Sequence, residues 1–157
     1  MKYITNTELA EMIKDPKKTP GKDFIVVDVR DEDRAGGHII GSVNRPSLEF
    51  LTSVDELVKD TKDVPLVIFH CALSQMRGPK AARIFEQTRS VKYDGQEITQ
   101  EIAILRDGFV GFQDRYKDDP ELVEKWDKEV WEPEDVIPLP ANLNDLAPDG
   151  TVKPKAT

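Results

Sequence analysis

The chain is poor in the residues that build disulfides and metal centres. Cys71 is its only cysteine, and His38 and His70 are its only histidines. One thiol excludes an internal disulfide and a multi-cysteine zinc site. Two histidines leave little from which to assemble a structural metal, so no metal and no cofactor are expected. No stretch has the apolar length of a membrane span. The opening residues, Met1-Lys2-Tyr3-Ile4-Thr5-Asn6-Thr7-Glu8, lack the apolar core of a signal peptide. There is no basic stripe of the kind that holds a phosphate backbone, which argues against a nucleic-acid partner. A free thiol on a chain with none of these features is expected in the cytoplasm, with the nucleus also open to it.

What charge there is lies unevenly. The net charge is −8 over 157 residues. Residues 118–157 hold eleven acids and four bases, whereas residues 1–117 are near balance with nineteen acids and eighteen bases. The acidic end reads as a solvated face and tail, with a docking or autoinhibitory segment as the alternative. The length suits one domain with a sizeable core. From Glu132 onward Pro133, Pro138, Pro140, Pro148 and Pro154 punctuate the chain and apolar runs are short. The expected division is therefore a body over 1–131 and a weakly ordered tail over 132–157, with Val136-Ile137-Pro138-Leu139-Pro140 able to lie across the body.

Elements alternate along the body. Thr5-Asn6-Thr7-Glu8 has the form of a capping box and opens a helix to about Lys14. Phe24–Val29 is a β-branched run that reads as a buried strand, and a charged turn follows from Arg30 to Gly37. Val43-Asn44-Arg45 suits a short strand. Ser53-Val54-Asp55-Glu56 reads as a second capping box, starting a helix to about Thr61. Strands are expected at 66–69 and 102–105, with a helix at 79–89 and a polar connection from Val91 to Gln100. Gly108 to Tyr116 and Pro120 to Trp131 read as two closing helices, and Phe109 and Phe112 as core. His38, after two glycines, is expected to satisfy a buried backbone group. Strands alternating with helices imply an α/β fold, a parallel sheet covered on both faces.

The chemistry concentrates in His70-Cys71-Ala72-Leu73-Ser74-Gln75-Met76-Arg77-Gly78-Pro79. The apolar run Leu66–Phe69 precedes it, and a helix-prone run with proline in a tolerated first-turn position follows. A thiol and an arginine thus stand on a tight loop between a strand end and a helix N-terminus. Such a loop can aim successive N–H groups at one point, and the helix adds partial positive charge. Arg77 adds a planar fork for two oxygens of a tetrahedral oxyanion. The same field favours the thiolate of Cys71, which is the nucleophile. The combination suits attack on phosphate or on an anion of that shape.

Val27-Asp28-Val29-Arg30 with Gly36-Gly37-His38-Ile39-Ile40-Gly41-Ser42-Val43-Asn44 resembles the opening signature of the rhodanese fold. His70-Cys71 through Arg77-Gly78-Pro79, and Leu105-Arg106-Asp107-Gly108-Phe109, resemble its catalytic and closing segments. Five residues separate Cys71 from Arg77. In this family the five-residue spacing marks the phosphatase-like and arsenate reductase-like members, and a spacing of four marks sulfurtransferases. The chain looks like the M-phase inducer phosphatases, and closer still to small eukaryotic arsenate reductases and fungal single-domain homologues. The resemblance implies a rhodanese-like α/β domain hydrolysing phosphotyrosine-type or aryl phosphate esters through a thiophosphate on Cys71. The alternative is an arsenate reductase on the same site, completed by glutathione and glutaredoxin because no resolving cysteine is present. Sulfur transfer from thiosulfate and a non-catalytic binding module are disfavoured. The implied substrate is a phosphorylated protein or a small oxyanion.

Residue by residue, Cys71 matches the nucleophile and Arg77 the oxyanion-binding arginine. The amides of Ala72, Leu73, Ser74, Gln75, Met76 and Arg77 match the oxyanion cradle. Asp28 matches a supporting aspartate that needs loop amides or Arg30 as partners, and His70 orients the loop. The Ser74 hydroxyl serves either the thiolate or the bound anion, or else its own backbone, and Leu73 and Met76 form an apolar rim. Two departures stand out. Inducer phosphatases carry loop glutamates proposed as acids, where this chain has Ala72 and Met76. Their back-door cysteine is Val29 here, and the extra cysteines with which plant relatives bind zinc are absent. Asp33, Glu49 and Asp107 are the acid candidates, by sequence position alone.

Overall fold

The structure is a computed structural model that describes residues 1–133. The chain divides into a body, Met1–Asp127, and a second unit that begins at Lys128. The body is built on strands β1 (Lys2–Ile4), β2 (Ile25–Asp28), β4 (Val43–Asn44), β5 (Leu66–His70) and β6 (Glu101–Leu105). They form one sheet in the order β1-β6-β5-β2-β4, parallel throughout. A second, two-stranded antiparallel sheet joins β3 (His38–Ile39) to β7 (Val123–Glu124). The helices are α1 (Asn6–Lys14), α2 (Phe50–Asp60), α3 (Arg77–Lys92) and α4 (Gly108–Tyr116), with a single turn, α5 (Lys128–Trp131), in the second unit. None of the described helices is long and apolar enough to cross a membrane.

Side chains alternate across the central strands, as the period of two requires. Val67 and Phe69 of β5 and Val27 of β2 enter a cluster with Phe50, Val54, Leu57 and Val58 of α2 and Ala81, Ala82 and Phe85 of α3. Burying a side chain such as Phe69 stabilises by about 1.5–3 kcal/mol, and its ring meets Phe85 at 5.3 Å and Phe50 edge-on at 6.2 Å. Ile68 and His70 point to the opposite face, where His70 stacks on Phe109 of α4. Phe109 and Phe112 are fully buried.

The capping reading holds for α1, where the Thr5 hydroxyl accepts from the Glu8 amide at 3.1 Å. It fails for α2, which begins at Phe50 and not at Ser53. Phe50 gains burial against Phe69 by joining the helix, which extends the apolar stripe one turn backward, and the Ser53 hydroxyl lies within 3.5 Å of the Phe50 carbonyl inside that turn. The helix α3 is longer than 79–89, with Pro79 in its first turn, where the absent N–H costs nothing. Of the expected helix from Pro120 to Trp131, only the last turn, Lys128–Trp131, forms. Val123 pairs with Ile39 and Glu124 with His38, Lys125 adopts a left-handed φ of 57°, and the Trp126 indole donates to Gln113 Oε1 at 2.9 Å. Pairing with a distant strand overrides local propensity there. His38 does not serve a buried backbone group: its Nε2 meets Glu124 Oε2 at 3.0 Å. The expected tail, from Glu134 onward and with it Val136–Pro140, lies outside the described residues.

Candidate active site

Parallel sheets of this kind carry their sites beyond the C-terminal strand ends, and that is where β5 delivers Cys71. His70 closes the strand and Arg77 opens α3, so Ala72–Met76 must turn from one to the other. The turn is made at Ser74, whose φ of 56° is left-handed. That conformation points the Ser74 amide back at the sulfur, and it donates to Cys71 Sγ at 3.2 Å. The hydroxyl is not the group that reaches the sulfur. Ser74 Oγ is buried and has no partner among the described residues, so it does not bond its own backbone either. At the helix end, the amides of Arg77 and Gly78 stand at positions where an α-helix offers no carbonyl behind them. Cys71 itself is 4% exposed, whereas Leu73 and Met76 are 50% and 79% exposed on the loop's outer edge.

The loop is braced from behind. Phe109 donates its amide to the Cys71 carbonyl and Val110 to the Ala72 carbonyl, both at 3.0 Å. This requires Gly108 to lie against the loop: a Cβ there would stand 2.4 Å from the Ala72 oxygen and 2.5 Å from the Cys71 oxygen. From the strand side, His70 Nδ1 lies 3.0 Å from the Cys71 carbonyl. A carbonyl only accepts, so the ring proton is on Nδ1. Nε2 is then a bare acceptor, 3.9 Å from Asp28 Oδ2. Burial holds the His70 pKa below its ordinary value, against the pull of Asp28, with Arg30 and Arg34 adding to the depression.

Asp28 sits directly beside His70 in the sheet register. Its carboxylate accepts from Arg30 Nη2 at 2.7 Å, from Arg30 Nε at 3.0 and 3.1 Å, and from the Arg30 amide at 3.0 Å. Burial pushes the Asp28 carboxyl upward, but His70, which is positive only once it takes up a proton in acid, and the hydrogen bonds and charge of Arg30 overcome it and hold the pKa below its usual value. Arg30 is 1% exposed, lies 4.2 Å over the Phe109 ring, and reaches on to the carbonyls of Gly37 at 2.9 Å and Asp33 at 3.3 Å. It is a central strut of the site. The sequence offered it only as a possible partner of Asp28, although the two residues lie two apart at a strand end and so share a face.

Arg77 is held by the turn that Arg30 anchors. Asp33 takes both terminal nitrogens, with Nη2 to Oδ2 at 2.6 Å and Nη1 to Oδ1 at 2.9 Å, and Asp31 Oδ2 lies 3.2 Å from Nη1. The Asp33 bond raises the Arg77 pKa above its ordinary value and in turn lowers that of Asp33. Asp31 is lowered too: some burial opposes its charge, and the Ser47 hydroxyl, the Leu48 amide and Arg77 outweigh that. Of the acid candidates, only Asp33 is brought onto Arg77. Glu49 stands at the N-cap position of α2 and Asp107, in a left-handed conformation, at that of α4, neither with a side-chain capping bond. Among the described residues no cluster of histidine, cysteine and carboxylate could hold a metal ion.

A lone cysteine at a parallel strand end, under an amide-lined turn and beside a helix-heading arginine, defines a cysteine-based enzyme on a rhodanese fold. The chain belongs to the rhodanese-like domain family, which matches residues 5–115. Within it, the chain falls in the branch of Cdc25-like phosphatases and arsenate reductases. It is 38% identical over 112 residues to the dual specificity phosphatase Cdc25 of Arabidopsis thaliana, covering 71% of this chain and 72% of that one. It is 35% identical over 112 residues to arsenate reductase 2.2 of rice, covering 71% and 81%. Among solved structures, the yeast Ygr203w, a protein tyrosine phosphatase of the rhodanese family, superposes with a TM-score of 0.69 at 30% identity, covering 83% of this chain and 96% of that one.

Proposed function

We propose that the protein is a cysteine-dependent phosphatase acting on phosphotyrosine-type or aryl phosphate esters. The observation that carries the reading is the Ser74 amide on Cys71 Sγ inside a five-residue loop whose next residue is Arg77. The thiolate attacks phosphorus, an S–P bond forms, and the P–O bond to the aryl group breaks with the electron pair leaving on oxygen. Water then attacks the thiophosphate, phosphate departs and the thiolate is restored. Cys71 is the nucleophile, the loop amides from Ala72 to Arg77 and the Arg77 guanidinium hold the equatorial oxygens, and Asp28 and His70 support the loop. The loop itself contains no carboxylate, which suits leaving groups that depart without a strong proton donor. A free thiol in this role fits a reducing compartment, the cytoplasm or nucleus.

The single cysteine also supports a second reading, arsenate reduction. Cys71 would bind arsenate and glutathione with glutaredoxin would supply the thiols that carry the electrons, since the chain has no second cysteine to resolve the adduct. The two anions have nearly the same shape, so both activities can share the site. Assays of p-nitrophenyl phosphate hydrolysis and of glutathione-coupled arsenate reduction on one preparation decide between them. Cys71→Ser is expected to abolish whichever is present while leaving the circular dichroism spectrum unchanged. More than a small residual rate in that variant would remove Cys71 from the mechanism.

A further inference from the structure

Sequence position alone made Asp33 one of three candidate acids, and the structure gives it a different place. A guanidinium has five N–H donors. In Arg77, the two on Nη1 and one on Nη2 are spent on Asp33 and Asp31, with Asp33 bound end-on through both of its oxygens. The donors left without a partner among the described residues are Nε–H and the second Nη2–H. These two run side by side along one edge of the planar group and form a fork of their own, matched to two oxygens of a tetrahedral anion.

We infer that Asp33 is a positioning residue: it grips the far end of Arg77 so that the Nε edge is presented to the oxyanion held by the loop. The inference deepens the proposed function and rests on that reading of Arg77. Asp33 is built to do this. Its turn is fixed by the Asp31 amide, which donates to Asp33 Oδ1 at 3.0 Å, and by Arg30, which reaches the Asp33 carbonyl at 3.3 Å and is itself bound to Asp28 on β2. A line of hydrogen bonds thus runs from the strand carrying Asp28, through Arg30 and the turn, to the head of α3. Asp31 is fixed independently by the Ser47 hydroxyl and the Leu48 amide and touches Arg77 at only one nitrogen. It follows that Asp33 does not donate a proton to the leaving group, because both its oxygens are committed as acceptors to a cation.

The alternative the geometry allows is a competitor, in which Asp33 occupies the place of the anion and must be expelled. The two make opposite predictions. Tungstate serves as the probe, since its binding can be measured by calorimetry whether or not the protein turns over a phosphate ester. Asp33 is half-exposed, so Asp33→Asn should fold, and its melting temperature checks this. Asp33→Glu, which keeps a carboxylate, is the second variant. Asp33→Asn should weaken tungstate binding on the order of tenfold, with partial rescue in Asp33→Glu and a smaller change in Asp31→Asn. Where aryl phosphate hydrolysis is present, Asp33→Asn should lower kcat by roughly tenfold to a hundredfold with a smaller effect on KM, as misplacement of a charge-stabilising group does. Its dependence on leaving-group pKa should not change, as it would if a proton donor had been removed. Tungstate bound as tightly or more tightly by Asp33→Asn overturns the inference in favour of the competitor. Tungstate binding unaffected by Arg77→Ala overturns it as well. Absence of hydrolysis in the wild type, with tungstate binding and its Asp33 dependence intact, sinks the phosphatase reading and leaves the positioning role standing.

Discussion

At the scale of single residues, the site depends on a glycine as much as on its reactive groups. Gly108 has a left-handed φ of 58°, and its α-carbon lies where a methyl group would run into two loop carbonyls. The left-handed conformation alone costs a non-glycine residue about 1–3 kcal/mol. The clash with backbone oxygens cannot be relieved by a side chain moving, so the loop must shift. Gly108→Ala is therefore expected to lower the urea midpoint and to reduce turnover far more than the lost stability explains, because Cys71 and Ala72 move with their carbonyls. A variant with wild-type kinetics would show that the 106–110 segment does not brace the loop. The Gly-Phe pair at 108–109 was legible as part of a closing signature, but the need for glycine was not, because it arises from a contact with residues more than thirty positions earlier.

At the scale of elements, β2 and the turn after it hold the most charge away from water. Asp28 is fully buried and Arg30 is 1% exposed. Removing one partner of such a pair leaves an uncompensated charge and costs about 3–5 kcal/mol. Asp28→Asn should fall in that range by urea denaturation. The double variant Asp28→Asn/Arg30→Met should recover part of the loss, since the orphaned cation is then gone. If the single variant costs under about 1 kcal/mol, solvent reaches Arg30 and the strut is not buried in solution. The elements with strong apolar periodicity, β2, β5, β6 and α4, were readable from sequence because burial decides them. The two ends that moved, the start of α2 and the stretch after Pro120, did so because Phe50 and Val123 each found a partner far along the chain.

At the scale of the whole molecule, stability should respond to acid through His70. Its folded pKa is depressed below the ordinary value of 6.5 by complete burial. Above that value both states are neutral there. Below it the unfolded chain takes up a proton that the folded protein resists, so stability falls as pH drops through 6.5. Asp28 acts with the same sign lower down, its contribution being lost as pH falls below the ordinary carboxyl value of 3.8. Melting temperatures should decline from pH 7 to pH 5, and His70→Gln should flatten that decline. A residual slope is expected from His38, whose pKa is also depressed by burial but which pairs with Glu124. An unchanged slope in His70→Gln would mean that His70 is charged in the folded state. We also expect a chain ended at Trp131 to fold and to hydrolyse an aryl phosphate, since every residue assigned to the site lies before that point; an insoluble or inactive product would place the acidic tail in the body's own packing.

The lone thiol, its spacing to Arg77 and the alternation of the main strands and helices were determined by the sequence itself. Each is a local pattern: a lone thiol before a first-turn proline, five residues of loop, and apolar runs of the right period. The hand of Asp33 on Arg77, the strut from Asp28 through Arg30, the Ser74 amide on the sulfur and the seat of Gly108 were decided only by the tertiary structure. All four depend on backbone conformation or on the meeting of separate segments, and a charged residue in a turn carries no mark in sequence of which distant cation it will face.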